Sequence, residues 1–290
     1  MIIDAHYHLE ERIETVTRLL DQMKIHGISR VALIPAFNDP FTVDRVTWKL
    51  GGLMRKALTS RWHSIGLRMY RLQVTSDGKF SLLIKRYPVY DEPDNENVAR
   101  VMQAYPDKFF GWIAVNPRVA DPIVEVEKRV GQPGWIGVKA HPFIHRYPVA
   151  MLDDVAAYCV ENDLPVLLHL GADRERGDYH YLPDRHPSLR VIYAHAGIPY
   201  YRELWDYAES KDNVFVDLSS PYLDEPLRLR TVKAVGAKKC LYGSDGPYGY
   251  TDTDGSYDHG KILDEIVRLP LSDPDKERIL QGNFREITRN

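Results

Sequence analysis

The stretch IIDAHYHLE, residues 2–10, opens as an apolar run and closes on two histidines two residues apart. In a strand, alternate side chains share a face. A strand over residues 2–8 therefore predicts Asp4, His6 and His8 on one side and Ile3, Ala5 and Tyr7 on the other. Two imidazoles side by side at a strand end can grip a metal ion; two hydrogen-bonded structural histidines are the plainer alternative. No glycine-rich phosphate loop follows this strand in the sequence, which argues against an open, doubly wound nucleotide-binding sheet.

The same kind of stretch recurs seven times: RVALIPA (30–36), KFFGWIAVNP (108–117), GWIGVKAHP (134–142), LPVLLHLG (164–171), LRVIYAHAG (189–197), NVFVDLSS (213–220) and KCLYGSDGP (239–247). These runs are almost continuously apolar, as parallel strands covered on both faces must be. Helical spacing predicts helices over 11–26, 121–130, 149–162, 200–210, 225–236, 258–269 and 274–281. Eight strands, most followed by a helix, predict a closed (β/α)8 TIM barrel as one domain over residues 1–290.

Residues 38–97 break the rhythm. Between Phe41 and Tyr90 there are ten lysines and arginines against two acidic residues. The first half of this insertion reads as amphipathic helices. The second half alternates around Ser76-Asp77-Gly78, which predicts a hairpin. Placed after the second strand, the insertion sits on the face that carries barrel active sites, as a lid or a dimer contact.

Composition narrows the function classes. The chain has 290 residues and a net charge of −3, too small to favour a nucleic-acid or membrane partner. The two cysteines, Cys159 and Cys240, fall in apolar segments, so no disulfide framework is expected and a reducing cytoplasm fits. The N-terminal residues lack the pattern of a secretory signal.

Ionisable residues collect at the strand ends: His6 and His8, Lys139 and His141, His169, His195 and Asp245. Such groups are costly to bury unless paired or bound to a metal. Any one of them reads as a structural residue. Five strands delivering them to one barrel mouth reads as a site.

The ordered motifs DAHYH (4–8), GVKAHP (137–142), LLHLG (167–171), YAHAG (193–197), GSDGP (243–247) and ILQGNFREI (279–287) resemble the amidohydrolase superfamily. The similarity is to its amidohydrolase-related branch, which includes aminocarboxymuconate semialdehyde decarboxylase. The resemblance implies one divalent metal, Zn²⁺ or alternatively Mn²⁺ or another ion, held by His6, His8, His169 and Asp245. It implies that Asp245 and His195 handle protons as the catalytic pair. Lys139 falls where some members carry a carbamylated lysine bridging two metals; in single-metal branches the lysine does not bridge, and here it is expected to contact substrate.

His141, Arg146 and Arg174 are further candidates for binding substrate. Arginine forks above a metal suit a carboxylate-bearing small molecule, with solvated loop arginines as the plainer alternative. The function expected is hydrolysis of an amide, ester or lactone by metal-activated water. The alternatives are non-oxidative decarboxylation or hydration of an unsaturated or aromatic acid, and a non-catalytic metal-stabilised barrel. A homodimer is expected from the resemblance.

Overall fold

In a computed structural model, the described residues are 1–290 other than 42–44, 83–84, 120 and 252–255; the side chains of 45–48 are also outside the description. Parts of the expected insertion thus lie outside the described residues. Ten strands are seen among those described: β1 (Ile3–Leu9), β2 (Arg30–Pro35), β3 (Lys79–Leu82), β4 (Lys85–Pro88), β5 (Phe109–Val115), β6 (Trp135–Ala140), β7 (Val166–Leu168), β8 (Val191–Tyr193), β9 (Val214–Asp217) and β10 (Cys240–Leu241). Eight of them form one parallel sheet in the order β1-β2-β5-β6-β7-β8-β9-β10. The circle closes where Ala5 N donates to Tyr242 O (3.0 Å), His8 N to Gly246 O (2.6 Å) and Asp245 N to His6 O (2.8 Å). This is the predicted barrel.

Two apolar layers hold it. Inside the barrel, Ile3, Ala5, Ala32, Ile34, Trp112 and Leu167 pack with residues of the other strands, and Phe284 and Ile287 of the last helix join them. Outside, the alternate strand residues such as Leu33, Ile113, Val166 and Val216 pack with the helices. The helix α1 (Val16–His26) shows how sequence sets these elements. The Thr15 side chain accepts from Arg18 N at its start, and Gly27 ends it at φ 67°, where a side chain would be strained.

The first strand departs from simple alternation. Pairing runs Asp4↔Val31, then Tyr7↔Leu33, so two residues of β1 stand against one of β2. This bulge corrects the expected face sharing. Ile3 and Ala5 point into the barrel, and His6 also turns inward. Asp4 does not share their face: its Oδ1 accepts from His6 N (3.0 Å) and Ser244 N (3.0 Å), latching the bulge to the segment that follows the last strand. Burial raises the Asp4 carboxyl to about 6.

The insertion folds as two helices, α2 (Arg45–Leu58) and α3 (His63–Arg71), followed by the antiparallel pair β3–β4. The helices touch closely because position 66 is glycine: a Cβ there would lie 2.3 Å from Leu58 N. The predicted turn at 76–78 exists, with Thr75 N donating to Lys79 O (2.9 Å) and a bridge from Val74 to Phe80. The regular hairpin, however, is the next one along, between β3 and β4. A further helix, α4 (Asn95–Ala104), begins within the last residues assigned to the insertion. No helix among the described residues is long and apolar enough to cross a membrane.

Candidate metal centre and substrate cavity

The polar strand ends meet at the C-terminal mouth of the barrel. His6, His195 and Asp245 each offer a ligand atom, all within 4.8 Å of one another. Asp245 is the hub: Oδ1 lies 3.6 Å from both His6 Nε2 and His8 Nε2, and Oδ2 lies 3.9 Å from His195 Nε2. Imidazole nitrogens and a carboxylate are a donor set that suits Zn²⁺, Mn²⁺ and similar ions. His6 turns its other nitrogen, Nδ1, to Asp217 Oδ2 at 2.8 Å, and His8 Nδ1 faces Pro35 O at 3.4 Å. Both rings therefore present Nε2 inward, and the residues fit a divalent cation.

His169 stands beside this group. Its Nδ1 is 3.2 Å from His195 Nε2, and its Nε2 is 2.7 Å from the Tyr70 hydroxyl of α3. His141 stacks on it with ring centres 4.0 Å apart, and its Nδ1 accepts from Ile144 N. Lys139 lies below, fully buried, with Nζ 3.5 Å from His6 Nε2.

Charge follows from burial and partners. Burial lowers Lys139 to about 8. Burial and then the Lys139 charge push His6 down to about 3. Burial also lowers His141, His169 and His195, so these rings are neutral at pH 7, the form that binds metals. Burial alone would raise Asp217 and Asp245. For Asp217 the charge and hydrogen bond of His6 overcome it; for Asp245 the charge of His195 and the His8 hydrogen bond do, and both carboxyls fall below the usual range.

Among the non-glycine residues with left-handed backbone are two of the three clustered candidate ligands, His195 (φ 54°) and Asp245 (φ 61°). Strain of this kind persists where surrounding contacts enforce it, and it gathers at functional sites.

Above the cluster lies a cavity of about 170 Å³. Its floor includes His8, His141, His169, His195 and Asp245, and its walls are largely aromatic: Phe37, Phe41, Phe80, Phe143, Tyr222 and Tyr248. The insertion supplies Phe41, Gly51, Met54, Arg55, Phe80 and Leu82. Arg55 brings a cation to this wall, and burial lowers its pKa.

The two arginines expected to bind substrate lie elsewhere. Arg146 Nη1 donates to Thr75 O (2.9 Å) and Ser76 O (2.5 Å), pinning the turn of the insertion. Arg174 is exposed. Neither lines the cavity. Asp217 was missed although NVFVDLSS gives the same signal as the other strands, an acid ending an apolar run. Arg55 and Tyr70 carry no such signal, because only the docking of the insertion brings them to the site.

His145, next to this wall, gives a pH test. Its Nε2 lies 3.1 Å from Tyr90 O, its Nδ1 is buried without a hydrogen-bond partner among the described residues, and burial lowers it to about 4. The unfolded chain, with an ordinary histidine pKa of about 6.5, binds the proton first as pH falls. The contribution of neutral His145 is thus intact above about pH 6.5 and is lost between there and about 4. His145→Gln is expected to be less acid-sensitive than wild type by on the order of 2 kcal/mol at pH 4.5 in urea unfolding, with no such difference in pH response above pH 7. Parallel stability curves for the two proteins would refute this.

Residues 3–287 match the family described as amidohydrolase. The chain belongs to the amidohydrolase family. No curated protein matches it. Among solved structures it is similar to 2,6-dihydroxybenzoate decarboxylase from Rhizobium, at 15% identity and a TM-score of 0.62, over 99% of this chain and 98% of that one. It is similar to 4-oxalomesaconate hydratase from Rhodopseudomonas palustris at 16% identity and a TM-score of 0.63, over 100% and 96% of the two chains. It is also similar to a dihydroxybenzoic acid decarboxylase from Polaromonas sp. JS666, whose structure holds manganese and the inhibitor 2-nitroresorcinol; here identity is 16%, the TM-score 0.60 and coverage 99% and 96%. These likenesses establish a shared fold.

Proposed function

We propose that this amidohydrolase-family chain is a metal-dependent lyase that removes carbon dioxide from a small hydroxy-substituted aromatic acid. The observation that carries the reading is the cavity: aromatic walls, the Arg55 cation, and a histidine–aspartate floor. An apolar cavity of about 150 Å³ takes one benzene ring, and this one is of that size. The decarboxylases and the hydratase of the same fold support a lyase over the hydrolysis expected first from the sequence.

One divalent ion, Mn²⁺ or Zn²⁺, would be held by His6, His195 and Asp245, with His8 and His169 as neighbouring donors. When bound it polarises substrate oxygens and draws off negative charge. Arg55 anchors the substrate's anionic group by charge-assisted hydrogen bonds. The insertion acts as a lid that excludes water from the aromatic walls. Asp245, ionised in the free site, takes the substrate's hydroxyl proton. It delivers that proton to the ring carbon as the bond to the carboxylate breaks, the electron pair stays on the ring, and carbon dioxide leaves. The product departs as a phenolate that takes a proton from water.

The test is to supply Mn²⁺ or Zn²⁺ and a panel of hydroxybenzoates, and to follow carbon dioxide and the decarboxylated phenol together. Their release in equal amounts, abolished by chelation and restored by metal, is expected. Cleavage of esters or lactones with no carbon dioxide from any acid would return the hydrolytic reading. With an active substrate in hand, Arg55→Met is expected to raise KM roughly tenfold to a hundredfold with little change in kcat. An unchanged KM would remove Arg55 from substrate binding.

A further inference from the structure

Asp217, at the end of β9, is buried and takes four donors on its two oxygens. Oδ2 faces His6 Nδ1 at 2.8 Å. Oδ1 accepts from His195 N (2.9 Å), Ser219 N (3.0 Å) and the Ser219 hydroxyl (2.5 Å). The Ser219 Oγ in turn lies 2.8 Å from His195 Nδ1. We propose that Asp217 is a positioning residue that sets the tautomers of two imidazoles on different strands, His6 directly and His195 through the Ser219 hydroxyl. This rests on the reading of His6 and His195 as cation ligands.

The proton count leaves one arrangement. An ionised carboxylate only accepts, so the nitrogen facing Asp217 Oδ2 must be protonated, and His6 carries its proton on Nδ1. A serine hydroxyl has a single proton. Ser219 gives its proton to Asp217, so towards His195 it can only accept, and His195 is also protonated on Nδ1. Both Nε2 atoms then keep a lone pair on the side where Asp245 lies. A carboxylate behind a ligating histidine in this way fixes ring orientation and raises ligand basicity. Here one carboxylate serves two histidines. It also holds the strained backbone of His195 (φ 54°, ψ 45°) by accepting that residue's own N–H.

The experiment is long-range ¹H–¹⁵N correlation of ring-labelled protein, stripped of metal and held at pH 7.5. In wild type, His6 and His195 are both expected as Nδ1-protonated tautomers. Ser219→Ala should change the pattern of His195 and leave the His6 tautomer as it was, because His6 Nδ1 keeps Asp217 Oδ2 at 2.8 Å and loses only the longer 3.4 Å contact to Ser219 Oγ. Asp217→Asn should change both, because an amide offers His6 a donor as well as an acceptor. In parallel, Mn²⁺ titration should show affinity lowered roughly tenfold to a hundredfold by Asp217→Asn and less by Ser219→Ala.

An Nε2-protonated His6 or His195 in wild type would overturn the proposal. So would a Ser219→Ala spectrum in which His6 moves and His195 does not. Ser219→Ala removes one small side chain, so it keeps the test usable if Asp217→Asn fails to fold. The tautomers are read without metal, which separates the two readings. Wild type with the stated tautomers that takes up no Mn²⁺ overturns the metal site and leaves this proposal standing. Tight Mn²⁺ binding with other tautomers does the reverse.

Discussion

Asp245→Asn is expected to lower kcat/KM by about a thousandfold and to weaken cation binding, while the barrel stays folded. Its backbone N donates to His6 O at 2.8 Å, a bond of the closing seam that asparagine keeps. Its left-handed φ of 61° is one that asparagine tolerates better than other non-glycine residues. The substitution therefore isolates the charge. What disappears is the carboxylate whose Oδ1 lies 3.6 Å from His6 Nε2 and His8 Nε2. In the proposed function that carboxylate is both a ligand and the group that carries the proton, and a positioned acid–base group alone is worth roughly 10²–10⁴ in rate. Elemental analysis, kinetics on the carbon dioxide assay and a thermal melt read the three consequences separately. A variant that keeps a full equivalent of metal and activity within tenfold of wild type would remove Asp245 from the centre of the mechanism.

The barrel was legible because its strands are buried on both sides, which writes them as apolar runs with polar ends. RVALIPA and NVFVDLSS need no tertiary knowledge to be recognised as strands. The bulge in IIDAHYHLE was not legible. It depends on Asp4 accepting from Ser244 N, a partner 240 positions away, and it turns Asp4 away from the histidines that a regular pleat would place beside it. The candidate site divides in the same way. His6, His195 and Asp245 announce themselves as ionisable groups ending apolar strands, and the fold brings them within reach of one another. Arg55 and Tyr70 sit in helices whose sequence shows only amphipathic, basic character. Tyr70 reaches His169 across 99 positions because α3 folds back over the mouth. Arginine-rich loops drew attention to Arg146 and Arg174, but a loop's charge does not say which way it faces: Arg146 is occupied by backbone carbonyls of the insertion. The hairpin signal marked a real turn and missed the regular strand pair after it.

The largest loss of stability is expected from Glu265→Leu. Glu265, in the helix Gly260–Arg268, pairs with Arg228 of the helix Glu225–Val235, and both side chains are buried. A buried pair is a poor source of net stability, because desolvation offsets much of the attraction. Removing one partner is different: the Arg228 guanidinium would stay at 0% exposure with no counter-charge among the described residues. A loss of about 3–5 kcal/mol is expected, read by urea unfolding. The effect should reach the site. Arg228 Nε donates to Leu218 O (2.9 Å) and Nη2 to Ser220 O (2.8 Å), the carbonyls on either side of Ser219. Ser220 itself holds a φ of 75°, so this segment depends on those two bonds to keep its shape. The double variant Arg228→Met with Glu265→Leu separates the two roles. It leaves no buried charge and should recover part of the lost stability. It should not recover activity, because Leu218 O and Ser220 O lose the donors that place Ser219 beneath His195. A double variant as unstable as Glu265→Leu alone would show that the buried charge is not the cause. A stable double variant with full activity would show that the site does not rely on Arg228.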